Sequence, residues 1–286
     1  MNVLKTTFWM AMLFVLLMAA GQAFGGQSGL MIGFVFALGT NAAAYWFSDR
    51  IALAMSGAIE VSEAEAPEMH QMVARLAAQA GLPTPRVYRI PAGQPNAFAT
   101  GRDPAHAAVA ITDGIWNILS RDELEGVIAH ELAHVKHRDT LICTVAATMV
   151  GVISYLSQIA QWTAMLGGLR DDDDEGGGGI AGALIMMIVG PIAALLIQLA
   201  ISRSREFDAD LGGAKITGKP LALASALQKI ERVAEGAPLD VNPSYAHMYI
   251  VNPLGGDNLR AIATLFRTHP LTKERVARLE ALAARM

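Results

Sequence analysis

Charge is scarce in this chain: Asp, Glu, Lys and Arg make up 17% of its 286 residues, against 53% hydrophobic residues and a mean hydropathy of +0.36. That balance is too apolar for an ordinary soluble domain and points to a membrane protein with a moderate polar portion. Basic tracts are missing and the formal net charge is -4, which argues against nucleic-acid binding. The lone cysteine, Cys143, lies in an apolar run, so no disulfide can form within the chain and a cysteine-based zinc site is excluded.

What the chain has instead is long apolar runs. Residues 8 to 24 and 29 to 47 flank a short Gly-Gln-Ser-Gly turn region. Each is close to the ~20 residues that cross a bilayer core, so together they read as a helical hairpin. The competing reading takes Lys5 and the first run as a signal peptide with a poor cleavage region, which still leaves the second run as an anchor. Two further spans are expected at Leu141 to Leu166 and Ile180 to Ile201, with Gln158 and Gln161 at an interfacial end and Pro191 as a kink. The acidic, glycine-rich loop between them, Asp171 to Gly179, reads as a solvated linker without chemistry. Lys5, Arg50, Lys136, Arg138, Arg203 and Arg205 flank the spans on one side, and Arg170 stands on the other beside five acids. The positive-inside rule therefore expects a multi-pass protein of the inner membrane, with both termini and the polar portion in the cytoplasm.

The polar portion falls into two parts, 49–140 and 202–286, separated by the second hairpin at 141–201 and preceded by the first at 1–48. Pro67 to Ala80 predicts a helix with Met69, Met72, Val73, Leu76 and Ala77 on its buried face. Val87 to Ile90 and Ala108 to Ile111 predict strands of a small sheet, with Asn96 to Gly101 as a candidate third strand. Its small side chains suit an edge against which an extended peptide could pair, and fit an ordinary hairpin strand equally well. Leu221 to Val233 and Lys273 to Ala284 predict amphipathic helices, joined by a long Pro/Gly/Asn-rich connection.

Chemistry concentrates at His130-Glu131-Leu132-Ala133-His134, within a helix expected from about Arg121 to Arg138. Positions four apart stack on one helix face, roughly 6 Å apart, so both imidazoles can reach one metal ion. Glu131 then sits where a carboxylate can hold and deprotonate a water. Ser120 with Glu123 gives a capping-box start, Leu124, Val127, Ile128, Leu132 and Val135 give a face to bury, and Gly126 is the weak position. The bland alternative is a chance pattern on an amphipathic helix.

A catalytic zinc needs a third ligand. The histidine-rich solution requires glycine at position 137 and histidine at 140, where this chain has His137 and Thr140. His137 reads as a surface or supporting residue. Glu206 and Asp210, four apart in Arg205-Glu206-Phe207-Asp208-Ala209-Asp210, share a face, so one can ligate while the other accepts a ligand's free ring N–H. Solvated charges outside a span are the plain alternative. If both flanking spans continue as unbroken helices, His134 and Glu206 stand roughly 8–10 Å above the same membrane face, and His130, His134 and Glu206 meet at one point.

These residues, with Asn96-Ala97-Phe98-Ala99, Thr268-His269-Pro270 leading to Arg275-Val276, and Tyr249 to Leu254, resemble the HtpX-type integral-membrane zinc metalloproteases, relatives of the CAAX prenyl proteases. The resemblance implies a membrane α+β fold: four transmembrane helices in two hairpins, plus a mainly helical, zincin-like catalytic domain with a small sheet. It implies one zinc per chain on His130, His134 and Glu206, Glu131 as the catalytic carboxylate, and His269 ahead of Tyr249 as oxyanion donor. His269 before Pro270 also reads as a helix-start residue. Asp210 supports a ligand, Asn96, Ala97, Phe98 and Ala99 hold substrate, and Arg275 orients the C-terminal helix. Unfolded or damaged membrane proteins are the expected substrates, cleaved on the cytoplasmic side, with possible self-cleavage. The rivals are a prenyl-protein processing peptidase and a non-enzymatic scaffold with a structural zinc.

Overall fold

A computed structural model describes residues 2–142, 145, 203–236 and 270–286. The second hairpin apart from Leu141, Ile142 and Val145, the Asp171–Glu175 loop, Tyr249 and His269 lie outside the described residues. Among those described, the fold is mainly helical with one small mixed sheet, and Gly25–Trp46 is the helix long and apolar enough to cross a membrane.

Helix α1 (Asn2–Trp46) is two arms joined at Gly25 and Gly26, where Gly26 takes a φ of 56°. The arms pack against each other. Phe14 meets Phe34 edge-on at 5.5 Å, and a methyl group on Gly21 would lie 2.2 Å from the Gly29 carbonyl oxygen. The chain thus reverses at Gly25–Gly26, ahead of the expected turn. Left-handed backbone at Gly26 lets the helix resume at Gln27, and Gly29 serves the contact between the arms rather than the turn. The first arm, Thr6–Gln22, is the shorter apolar helix. On the second, Met31, Ile32, Val35 and Phe36 are each at least 60% exposed, an apolar flank suited to lipid.

The folded domain follows as α2 (Ser48–Met55), β1 (Ile59–Glu60), α3 (Pro67–Ala80), β2 (Arg86–Ile90), β3 (Ala97–Thr100), β4 (Ala108–Thr112), α4 (Asp113–Ile118) and α5 (Arg121–His137). Three further helices are described: α6 (Arg203–Thr217), α7 (Pro220–Gly236) and α8 (Thr272–Ala283). The sheet order is β1-β2-β4-β3, with β2 parallel to β4 and the other pairs antiparallel. The expected helix α3, its buried face and the strands around 87–90, 97–100 and 108–111 are all present. Strand β3 is at the edge.

Helix α5 is the centre of the domain, with α3, α6, α7 and β3 packed around it. The expected apolar face is buried, but so is every residue from Glu123 to Ala133, the polar side included. A helix enclosed on all sides needs close neighbours, and its glycines provide them. Gly126 is a contact point rather than a weakness, because a methyl there would lie 3.1 Å from the Leu223 backbone of α7.

The helix stops at Arg138, whose φ of 57° is left-handed, and a new turn begins at Asp139. The unbroken rod from His134 into the next apolar run is therefore not present. Glu206 reaches the motif by a different route. Gly213 lets α6 lie backbone to backbone on α5, so close that a methyl there would sit 2.8 Å from the His130 amide nitrogen.

Candidate metal centre

The geometry begins with the start of α5. Ser120 Oγ accepts from the Glu123 amide and Glu123 Oε2 accepts from the Ser120 amide, the capping box the sequence predicts. Two and three turns later the helix presents His130 and His134, rings perpendicular and 4.8 Å apart. From α6, Glu206 inserts one oxygen toward each: Oε1 is 3.4 Å from His134 Nε2, and Oε2 is 3.7 Å from His130 Nε2. All three side chains offer a donor atom within 4.8 Å of one another.

Each ring is backed on its other nitrogen by an aspartate. His130 Nδ1 lies 3.0 Å from Asp210 Oδ1, and His134 Nδ1 lies 3.3 Å from Asp139 Oδ2. With Nδ1 carrying the proton, both Nε2 lone pairs face Glu206. Each aspartate is in turn held by an arginine. Arg275 donates from Nε and Nη2 to Asp210 at 2.9 and 2.6 Å, and Arg205 Nε lies 3.1 Å from Asp139 Oδ1. Burial pushes the Asp210 carboxyl up, but Arg275 and then His130 outweigh it and hold it at about 2. Burial likewise opposes ionisation of Asp139, and its partners His134 and Arg205 again bring it below the usual range.

Two of these supports were not legible as such. Arg205 reads in the sequence as a topology marker beside a span; here it is 93% buried against Asp139. Arg275 does more than orient α8: it clamps Asp210 and its Nη1 lies 3.6 Å from Glu206 Oε2. The one signal for Asp139 is its position, one helical turn and a residue past His134. His137 is exposed at the end of the stripe it shares with the motif histidines.

Glu131 turns toward the sheet. Its Oε2 accepts a hydrogen bond from the Ala99 amide at 3.0 Å. That amide therefore points away from β4, along the outer side of the edge strand. Ala97 and Phe98 are buried, and Asn96 is tied to Thr112, whose Oγ1 accepts from the Asn96 amide at 2.8 Å. Of the four residues expected to hold substrate, Ala99 is the one whose amide bonds Glu131.

The residues present fit a divalent cation on two grounds. Ligands of a tetrahedral ion bound at about 2.1 Å lie roughly 3.4 Å apart, close to the 3.4 and 3.7 Å seen here. The donor set also suits a cation: Glu131, Asp139, Glu206 and Asp210 are four buried carboxylates gathered around two imidazoles, with Arg205 paired to Asp139 and Arg275 to Asp210. His134 responds accordingly. Burial disfavours its charged form, yet Asp139 and then Glu206 raise its pKa well above the ordinary value.

Comparison with known proteins gives a consistent answer. Residues 63–283 match the family model described as Peptidase family M48. The chain is 56% identical over 285 residues to a protein of Thermodesulfovibrio yellowstonii named Protease HtpX homolog, covering all of both chains. It is 55% identical over 284 residues to the protein of that name from Thermococcus kodakarensis, covering 99% of this chain and 97% of the other. A crystal structure of S. mikatae Ste24p aligns with a TM-score of 0.53 at 19% identity, over 94% of this chain and 62% of that one. That last likeness is one of fold.

Proposed function

The chain belongs to peptidase family M48 and is a metalloprotease, as its HtpX-type motifs imply; on that premise we propose that it is a membrane-bound zinc endopeptidase that cleaves unfolded or damaged membrane proteins at the cytoplasmic face. The observation that carries the reading is the meeting of His130, His134 and Glu206 beside a carboxylate, Glu131, that touches an edge strand.

His130, His134 and Glu206 would hold the zinc, whose charge would polarise the scissile carbonyl and acidify a neighbouring water. Asp210 and Asp139 fix the two rings with Nε2 inward, and Arg275 and Arg205 fix the aspartates. An extended substrate adds to the outer side of β3 and takes the Ala99 N–H from Glu131. The released carboxylate accepts a proton from water as its oxygen attacks the carbonyl carbon. The same proton passes to the amine nitrogen as the C–N bond breaks. His269 remains the proposed donor to the oxyanion, with Tyr249 its rival.

A strand edge reads backbone rather than side chains, which suits unfolded segments of varied sequence, this chain's own included. The net apolar composition and the Gly25–Trp46 helix support residence in a bilayer, and the arginines and lysines flanking the apolar runs support the cytoplasmic orientation. Digestion of unfolded casein by the detergent-solubilised, zinc-loaded chain tests the reading. The wild type should cleave, and Glu131→Gln should cleave at least about 100-fold more slowly while keeping its zinc. Equal digestion by both would remove Glu131 from the mechanism. Cleavage confined to prenylated tails would favour the processing peptidase.

A further inference from the structure

Where α1 ends and the folded domain begins, at the end of the 22-residue Gly25–Trp46 arm, there is a cavity of about 660 Å³. Its walls differ in character. Ala42, Trp46 and Phe47 line it from the end of the span, while Arg50, Arg86, Arg102 and His106 line it with cationic side chains. Three guanidinium groups thus face one lining carboxylate, Asp49, which is ion-paired with Arg86. Arg86 also donates to the Tyr88 hydroxyl at 3.0 Å. Asp103, behind the cavity, holds His106 at 2.8 Å and lies 3.7 Å from Arg102. The Arg50 guanidinium stands 5.8 Å from the centre of the Phe47 ring.

An inorganic anion would need only the cationic wall. Ala42, Trp46 and Phe47 at the end of a span add a path for an acyl chain beside a cationic wall at headgroup depth. Basic pockets beside membrane helices are suited to anionic headgroups. We propose that this cavity binds the phosphate headgroup of an anionic phospholipid, with its chain lying along Ala42 to Trp46 of α1. The site is separate from the metal cluster, and it rests on the reading that α1 lies in a bilayer.

The test uses the full chain, reconstituted or in lipid-doped detergent, with phosphatidylglycerol and phosphatidylcholine as probes. Wild type should retain phosphatidylglycerol in preference to phosphatidylcholine, measured by native mass spectrometry. Arg50→Gln/Arg102→Gln should weaken phosphatidylglycerol retention roughly tenfold or more, with phosphatidylcholine unchanged. Arg50→Lys/Arg102→Lys should keep most of it, and the exposed Arg50→Gln alone serves if the double variant fails to fold. Absence of a preference in wild type, or equal retention by the glutamine variants, overturns the proposal. So does saturable binding of inorganic phosphate in lipid-free detergent with the same arginine dependence, which would make this a site for a free anion. Incorporation into neutral vesicles reads the bilayer assignment separately. A chain left in the aqueous phase overturns both, and one that incorporates without preferring anionic lipid overturns the headgroup site alone.

Discussion

At its N-terminal end α5 buries Glu123; at its C-terminal end it buries His130 and Glu131 beside Glu206. The first charge is answered in full by the fold itself. Glu123 accepts from the Ser120 amide, from Ser225 Oγ at 2.6 Å and from Lys229 Nζ at 2.7 Å. One anion meets one cation and two hydroxyl-bearing neighbours, and the account closes. At the other end four buried carboxylates surround two imidazoles, with Arg205 and Arg275 paired to Asp139 and Asp210, a donor set that suits a dication. Burial of charge is therefore a structural device at one end of the helix and a candidate binding site at the other.

The sharpest way to break that contrast is to remove a ligand. Glu206→Gln and His134→Ala should each lose zinc by more than the ~100-fold expected of an outer-sphere change, and lose casein digestion with it. Zinc content after dialysis reads the outcome. Retention of zinc by Glu206→Gln would place the third ligand elsewhere. Next in size is Arg275→Met, which leaves Asp210 buried with His130 but without its guanidinium partner. Loss of one partner of a buried pair costs about 3–5 kcal/mol, visible as a fall in melting temperature. The matching change at the other end, Lys229→Met, removes a cation that is 37% exposed and should cost about 1 kcal/mol or less. Similar losses at both ends would dissolve the distinction.

What was legible in the sequence follows the same division. The capping box, α3 and the strands are written in neighbouring residues, and local pattern was enough to find them. The family motifs located His130, Glu131, His134 and Glu206, whose meeting in space joins residues 76 positions apart. The arginine supports were hidden because charge beside an apolar run signals topology as readily as burial. The helix expected from about Arg121 to Arg138 is present as Arg121–His137, whereas its unbroken continuation and the weakness at Gly126 are not, for physical reasons. A left-handed Arg138 ends α5, and no propensity scale expects arginine there. Gly126 looked like a defect because propensity counts the cost of its flexibility and not the neighbour it admits.

The two aspartates test how much the metal-binding end depends on its supports. Asp139→Asn and Asp210→Asn should each weaken zinc binding by about 10–100-fold without abolishing it. Asp139→Asn should leave stability closer to wild type than Asp210→Asn, because Arg205 also donates to the Asp139 backbone carbonyl at 3.0 Å while Arg275 is more deeply buried. An equal effect of both changes on melting temperature would mean the two supports carry the fold alike.

A modest effect belongs to the capped end, and acid reveals it. Burial pushes the Glu123 carboxyl up, but Lys229, Ser225 and Ser120 outweigh it and take it from 4.5 to about 2. A carboxyl whose pKa is depressed on folding stabilises the protein above its unfolded pKa. That contribution is lost as pH falls from about 4.5 through about 2. Taken at face value the shift amounts to about 3 kcal/mol, and partial exposure of Lys229 reduces this to about 1–2 kcal/mol. Glu123→Gln should therefore be less stable than wild type by that amount at pH 6, and the gap should narrow steadily toward pH 3. Denaturant melts of the zinc-free proteins at each pH isolate the effect, since the metal cluster is common to both. A gap that stays constant with pH would mean that Glu123 acts through packing, and that charge at this end of α5 contributes nothing the helix could not obtain from a neutral cap.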